Sequence, residues 1–142
     1  MNYVLDTNVI SELIAKQPNK NVVEWLDRLD SNTVYLTVIT IGEIRKGVEK
    51  LPPSKRRETI KEWLETDLLI RFQGRILDIT IDVMMVWGEL TGRLEKEGRL
   101  IRAIDSLIAA VALHGNYCLA TRNEHDFQHT GVNIINPWKE HG

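Results

Sequence analysis

Five short apolar runs punctuate this chain, and the segments between the first four repeat their apolar residues at helical spacing. The runs are Tyr3–Leu5, Val34–Ile39, Ile76–Ile79, Tyr117–Ala120 and Asn133–Ile135. Each is strand-sized, and Val34–Ile39 in particular is rich in the β-branched residues that suit a pleated surface. Between them, Val9, Ile10, Leu13 and Ile14 mark a first helix, followed by helices over Asn21–Asp30, Thr40–Leu51, Lys55–Leu69, Thr80 to Gly98, and Ile104–Leu113. Strands separated by helices cannot pair as tight hairpins; they are joined by crossovers, which favours parallel pairing with helices on both faces. The expectation is an α/β fold: a three-layer α/β/α single domain over residues 1–142 with a mostly parallel sheet of about five strands.

Punctuation supports these bounds. Gln17-Pro18-Asn19 breaks the first helix, Pro52-Pro53-Ser54 ends one helix and caps the next, and Thr80 or Asp82 caps the long helix after the third run. Gly115 is placed to close the small-residue helix as its C′ residue, and Asn136-Pro137-Trp138 closes the last strand.

Composition narrows the partners. The 142 residues are 43% hydrophobic, enough for a real core, and the net charge is −2. There is no overall basic field, so a polyanion would have to be held by a local patch or a bound metal. The single cysteine, Cys118, excludes an intramolecular disulfide and reads as a buried strand thiol, consistent with the cytoplasm. The start of the chain lacks a signal-peptide pattern, and the longest uncharged apolar stretch, Leu107–Leu113, is too short to span a bilayer.

Four acids follow or closely trail short apolar stretches and stand at or just before the start of helix-like segments: Asp6, Glu43, Asp105 and Asp126. A parallel sheet gathers its strand ends and the following helix starts on one edge, where ligands bind. Four carboxylates gathered there would repel one another unless a cation lay among them. A divalent metal site serving phosphodiester hydrolysis is the chemistry this suggests.

Each acid has a plainer reading. Asp6 could cap the first helix, although Thr7 or Asn8 could do so equally. Thr40-x-x-Glu43 matches a capping box, in which Glu43 reaches back to the Thr40 amide; Gly42 beside it suggests that something approaches the backbone. Asp126 could cap a short turn led by Phe127. Asp105 is hardest to dismiss, because it lies in Ala103-Ile104-Asp105-Ser106-Leu107-Ile108-Ala109-Ala110, on one face with Ile108 and Ala112. A carboxylate there must be exposed, paired (Arg102 is the nearest candidate) or bound to metal.

Other chemistries fit less well. The chain has no glycine-rich phosphate loop. His114, His125, His129 and His141 show no zinc spacing with cysteine. Ser11 and Ser106 lack a nucleophile turn, and Trp25, Trp63 and Trp87 fall at apolar helical positions that suit packing better than base stacking.

Five blocks taken in order resemble the PIN-domain family, specifically its VapC-type (FitB-like) ribonuclease toxins. They are Leu5-Asp6-Thr7-Asn8-Val9-Ile10-Ser11-Glu12; Thr40-Ile41-Gly42-Glu43-Ile44-Arg45-Lys46-Gly47; Ile104 to Ala110; Ala120-Thr121-Arg122-Asn123 through Phe127; and Ile135-Asn136-Pro137-Trp138. The resemblance covers nearly the whole chain. It implies a nuclease in which Asp6, Glu43 and Asp105 hold one or two Mg2+ or Mn2+ ions, with Asp126 or Asn123 in the fourth place. Thr7, Asn8, Thr121 and Asn123 would line the site. Cleavage would leave a 5′-phosphate and a 3′-hydroxyl, with Arg45, Arg102 and Arg122 as candidates for holding RNA phosphates; Lys46 reads better as a solvated surface charge. The resemblance also implies a cognate antitoxin that blocks the cleft and acts as a DNA-binding co-repressor, and a toxin homodimer. The apolar positions Ile10, Leu13, Ile14, Val22, Trp25 and Leu26 allow such a partner.

Two competing readings follow from the same residues. Asn123 in place of an acid, with the modest charge, also suits a catalytically weak binding module of the same fold. A signalling receiver domain likewise clusters carboxylates at strand ends, but it needs an Asp ending the third strand and a Lys ending a later one, and this chain has neither.

Overall fold

The structure, a computed structural model, describes residues 1–139; His141 lies outside them. In chain order the elements are β1 (Tyr3–Leu5), α1 (Thr7–Leu13), α2 (Lys20–Asp27), β2 (Val34–Thr37), α3 (Val38–Lys50), α4 (Lys55–Glu62), α5 (Leu69–Arg71), β3 (Ile76–Leu77), α6 (Ile81–Lys96), α7 (Ala103–His114), β4 (Cys118–Ala120), α8 (Glu124–Phe127) and β5 (Asn133–Ile135). The strands form one sheet in the order β3-β2-β1-β4-β5. Every pairing is parallel, so "mostly" parallel becomes wholly parallel.

Alternation along the short strands builds two cores. Val4 and Leu119 point into one, filled by Val83, Leu90 and Leu94 of α6, Ile108 to Ala112 of α7, and Phe127. Leu5, Leu36 and Ala120 point into the other, with Val9 and Ile10 of α1, Val22 and Trp25 of α2, and Ile44 of α3. Helices on both faces are therefore as expected. Leu13 and Leu26 also pack against this second core, so most of the apolar residues that allowed for a partner are used internally.

The chain leaves β1 toward β2 and β3 on one side and returns through α7 to β4 and β5 on the other. The strand order thus reverses between β1 and β4, and a crevice opens there beyond the carboxyl ends of the strands.

Several bounds move for identifiable reasons. The run Val34–Ile39 is strand only to Thr37, whose hydroxyl accepts from the Thr40 N–H and caps a helix that begins at Val38. The second helix runs Lys20–Asp27 under an Asn19 cap, and Asp30 instead caps the short 3-10 turn Ser31–Thr33. Lys55–Leu69 is not one regular helix: after α4 the chain takes a π turn, Trp63–Leu68, before α5. That wider turn keeps Leu64, Leu68 and Phe72, spaced four apart, all in the core. The third strand stops at Leu77, leaving Ile79 exposed, and the fourth starts at Cys118 rather than Tyr117. Thr80, not Asp82, caps α6.

Gly115 is not the left-handed residue after α7; its φ is −92°, and Asn116 at φ 56° takes that conformation. Glycine is needed at 115 for room, since a Cβ there would run into the Tyr117 ring.

Candidate functional site

Asp6 is the N-cap of α1, and at 4% exposure it is the one buried acid among the described residues. Its backbone N–H continues the ladder to the Ala120 carbonyl (2.9 Å), which ties the end of β1 to the end of β4. Oδ1 accepts from the Thr7 N–H at 2.8 Å. Oδ2 accepts from the Thr121 hydroxyl at 2.8 Å and from Asn8 Nδ2 at 3.2 Å. Asn8 Oδ1 in turn accepts from the Arg122 N–H at 3.2 Å, and the Thr121 oxygen accepts from the Asn123 N–H at 3.0 Å. The first residues after two adjacent strands are thus laced together around one carboxylate. Burial raises the Asp6 pKa, the Thr121 and Thr7 hydrogen bonds oppose the rise, and Glu43 adds to it.

Glu43 approaches from α3. The capping-box reading fails because Thr37 is the cap and Thr40 already lies inside the helix. Glu43 instead accepts from the Thr7 hydroxyl. The Thr40 hydroxyl lies 3.1 Å from that of Thr7. Since Thr7 has one proton and gives it to Glu43, Thr40 is the donor in this pair. Gly42 has nothing close to it and is exposed, so no close backbone approach explains it.

Asp105 sits in the first turn of α7, where the N-cap Arg102 contributes no side-chain hydrogen bond. It makes no ion pair with Arg102 within 4.0 Å, so that plainer reading falls away. Its pKa is raised to about 6, first by burial, then by Asp6 and Asp126; Arg102 lowers it and Glu43 raises it.

These side chains share a cavity of about 430 Å³. It brings together Asp6, Glu43, Asp105 and Asn123, with Thr7 and Asn8 on its wall and Arg102 and Arg122 at its edge. Asp126 is not part of this lining. It is exposed on α8 and faces two neighbouring grooves of about 860 and 690 Å³, sharing the second with Asp105 and Arg102. Asp126 also does not cap a turn led by Phe127; Asn123 occupies the cap position of α8, and the Asp126 N–H donates to its carbonyl at 3.1 Å.

Arg45 is a correction. Two residues beyond Glu43, it is turned roughly 200° around the helix and pairs with Glu49 at 3.0 Å, outside the cavity. Sequence reasoning also missed three lining residues, Ser11, Glu12 and Trp138, and the buried Thr40. Thr40, three residues before Glu43 on the same helix face, was readable in principle. Trp138 was not, because only the tertiary fold brings it to the site.

The donor set suits a hard cation. It consists of carboxylate, hydroxyl and amide oxygens, and behind burial, repulsion from neighbouring acids adds to the rise of the Asp6 and Asp105 pKa values. Among the described residues, no group of three or more His, Cys, Asp or Glu side chains is placed to hold a metal ion as the side chains stand, so an ion here would need waters or a shift of these side chains to complete its coordination. No described helix is long and apolar enough to cross a membrane.

A model of the PIN domain matches residues 3–133. The chain is 39% identical to toxin FitB of Neisseria gonorrhoeae over 96% of its length and 99% of that protein's. It is 38% identical to VapC ribonuclease Y4jK of Sinorhizobium fredii over 96% of this chain and 97% of the relative. Its fold matches the crystal structure of FitAcB from Neisseria gonorrhoeae with a TM-score of 0.92 at 39% identity, covering 97% of this chain and 99% of that one. It also matches VapBC2 from Rickettsia felis, bound to a DNA fragment from its promoter, with a TM-score of 0.81 at 29% identity, covering 96% and 98%. The chain therefore belongs to the PIN-domain family, among its VapC- and FitB-type members.

Proposed function

We propose that this chain is a metal-dependent endoribonuclease and the toxin of a type II toxin–antitoxin pair, acting in the cytoplasm as a single domain over residues 1–142. The observation that carries the reading is the shared cavity of Asp6, Glu43 and Asp105, built from three separate parts of the chain with, among the described residues, no cationic side chain paired to any of them. Asp6, Asp105 and Glu43 would hold Mg2+ or Mn2+, with the Asn123 amide, which lines the cavity, rather than Asp126, which does not, completing the set. When bound, such an ion neutralises phosphate charge and acidifies a water molecule.

The chain's own residues have distinct tasks. Thr121 and Asn8 fix the Asp6 carboxylate so that both oxygens keep their orientation. Thr7 does the same for Glu43, with Thr40 behind it. Arg102 and Arg122, which line the cavity, would hold phosphates flanking the cleaved bond. With a net charge of −2, such local cations and the metal must supply the attraction for RNA.

The relatives named VapC and FitB, and the solved VapBC and FitAcB structures, support a cognate antitoxin as partner; a DNA-bound example supports a co-repressor role for that pair. A toxin homodimer completes the proposal. Incubating the purified protein with RNA in Mg2+, in Mn2+ and in excess EDTA tests it. Cleavage is expected only with metal, and cleavage that survives EDTA would refute the reading. Failure to cleave under any metal would favour the weak binding module instead.

A further inference from the structure

We propose that Arg122 and Trp138 form a stacking platform for an unpaired nucleobase beside the acidic cavity; this base subsite rests on the ribonuclease reading above. The Arg122 guanidinium lies over the Trp138 ring, 5.3 Å from its centroid. Both residues line the same cavity as Asp6 and Asp105. Arg122 is exposed and, among the described residues, makes no ion pair.

Both members are held from their backbones. The Arg122 N–H donates to Asn8, the residue that also binds Asp6. The Trp138 N–H donates to the Asn136 side chain at 3.0 Å, and its carbonyl accepts from Asn21 Nδ2 at 2.9 Å. The indole also packs against the second core. A floppy arginine would act only as a point charge. One held over a fixed indole keeps its guanidinium beside the cavity, where an unpaired base can stack on the pair while cation–π attraction to the indole restrains the arginine.

The consequence is a choice of substrate. A base inside a duplex has both faces covered, so only a splayed or single-stranded base can use the platform. Its place beside the carboxylates positions that base next to the scissile phosphate.

Two measurements test this. In steady-state cleavage of single-stranded RNA with Mg2+, Trp138→Leu and Arg122→Lys should each raise KM roughly tenfold with kcat within about twofold. Arg122→Lys keeps the charge, so the dependence of KM on salt should stay unchanged. An Arg122→Lys variant with wild-type KM would show that charge alone matters and would overturn the platform. Because Trp138→Leu could disturb packing, the second measurement uses Trp138→Phe and binding alone. Poly(U) added in EDTA should quench the intrinsic fluorescence of the wild type, and that change should vanish in Trp138→Phe. A wild type that cleaves RNA but shows no quenching, or a Trp138→Phe variant that keeps it, overturns the platform and leaves the nuclease reading intact. Quenching without cleavage in Mg2+ or Mn2+ supports the platform and refutes the nuclease reading.

Discussion

Asp6 and Asp105 face the same cavity, yet the chain holds them in opposite ways. Around Asp6, Thr7, Asn8 and Thr121 all donate to one buried carboxylate. Around Asp105, no side chain among the described residues donates; the start of α7 carries it into the cavity, with its pKa lifted to about 6 by burial and by Asp6 and Asp126. One acid is therefore part of the scaffold and part of the site, while the other is only part of the site. Stability and activity should separate accordingly.

The largest expected effect does not distinguish the two acids. Asp6→Asn and Asp105→Asn should each reduce RNA cleavage by at least about a hundredfold, since each removes charge from the reacting centre. A single-turnover assay checks this, and near-normal cleavage by either variant would remove that residue from the site.

Thr121→Val and Thr7→Val come next, lowering activity by about tenfold to a hundredfold through loss of carboxylate orientation. Among the described residues, Asp105 has no corresponding neighbour. Asn123→Ala should cost activity several-fold and Asp126→Asn less than about twofold, by analogy with the larger effect of groups that touch the acting carboxylates. The reverse order would return the fourth position to Asp126.

Stability distinguishes the two aspartates most sharply. Asp6→Ala strands three donors and removes a helix cap, costing about 2–3 kcal/mol in denaturant melts. Asp105→Ala should cost little, and in EDTA Asp105→Asn should stabilise. The pH dependence has a definite sign. An acid whose folded pKa lies above its unfolded value of 3.8 binds its proton more tightly when folded. Its unfavourable contribution is absent below the unfolded pKa and grows as pH rises through about 6. Metal-free wild type should therefore melt at a lower temperature at pH 7.5 than at pH 5, with a smaller difference in Asp105→Asn.

The same contrast shows what could be read in the sequence. Asp105 stood out because a carboxylate embedded in Ala-Ile-Asp-Ser-Leu-Ile-Ala-Ala cannot be buried alone and needs water, a cation or a charged partner. The strand–helix alternation was enough to gather the acids on one edge. The Asp6 nest could not be read, because Thr121 lies 115 positions away and its hydroxyl is directed by the β1–β4 pairing. Glu43 was obscured for a local reason: Thr37 and Thr40 are both plausible caps, and only the end of β2 against β3 decides between them. Arg45 failed on helix phase, and Trp138 reached the cavity only through its Asn21 and Asn136 tethers.

The most direct test of the central claim, that these carboxylates make a cation site, is calorimetric titration of the protein with Mn2+. Saturable binding below millimolar concentration is expected, and it should be lost in Asp105→Asn while the fold remains intact. Absence of binding at millimolar Mn2+, or binding that persists in Asp105→Asn, would contradict the claim.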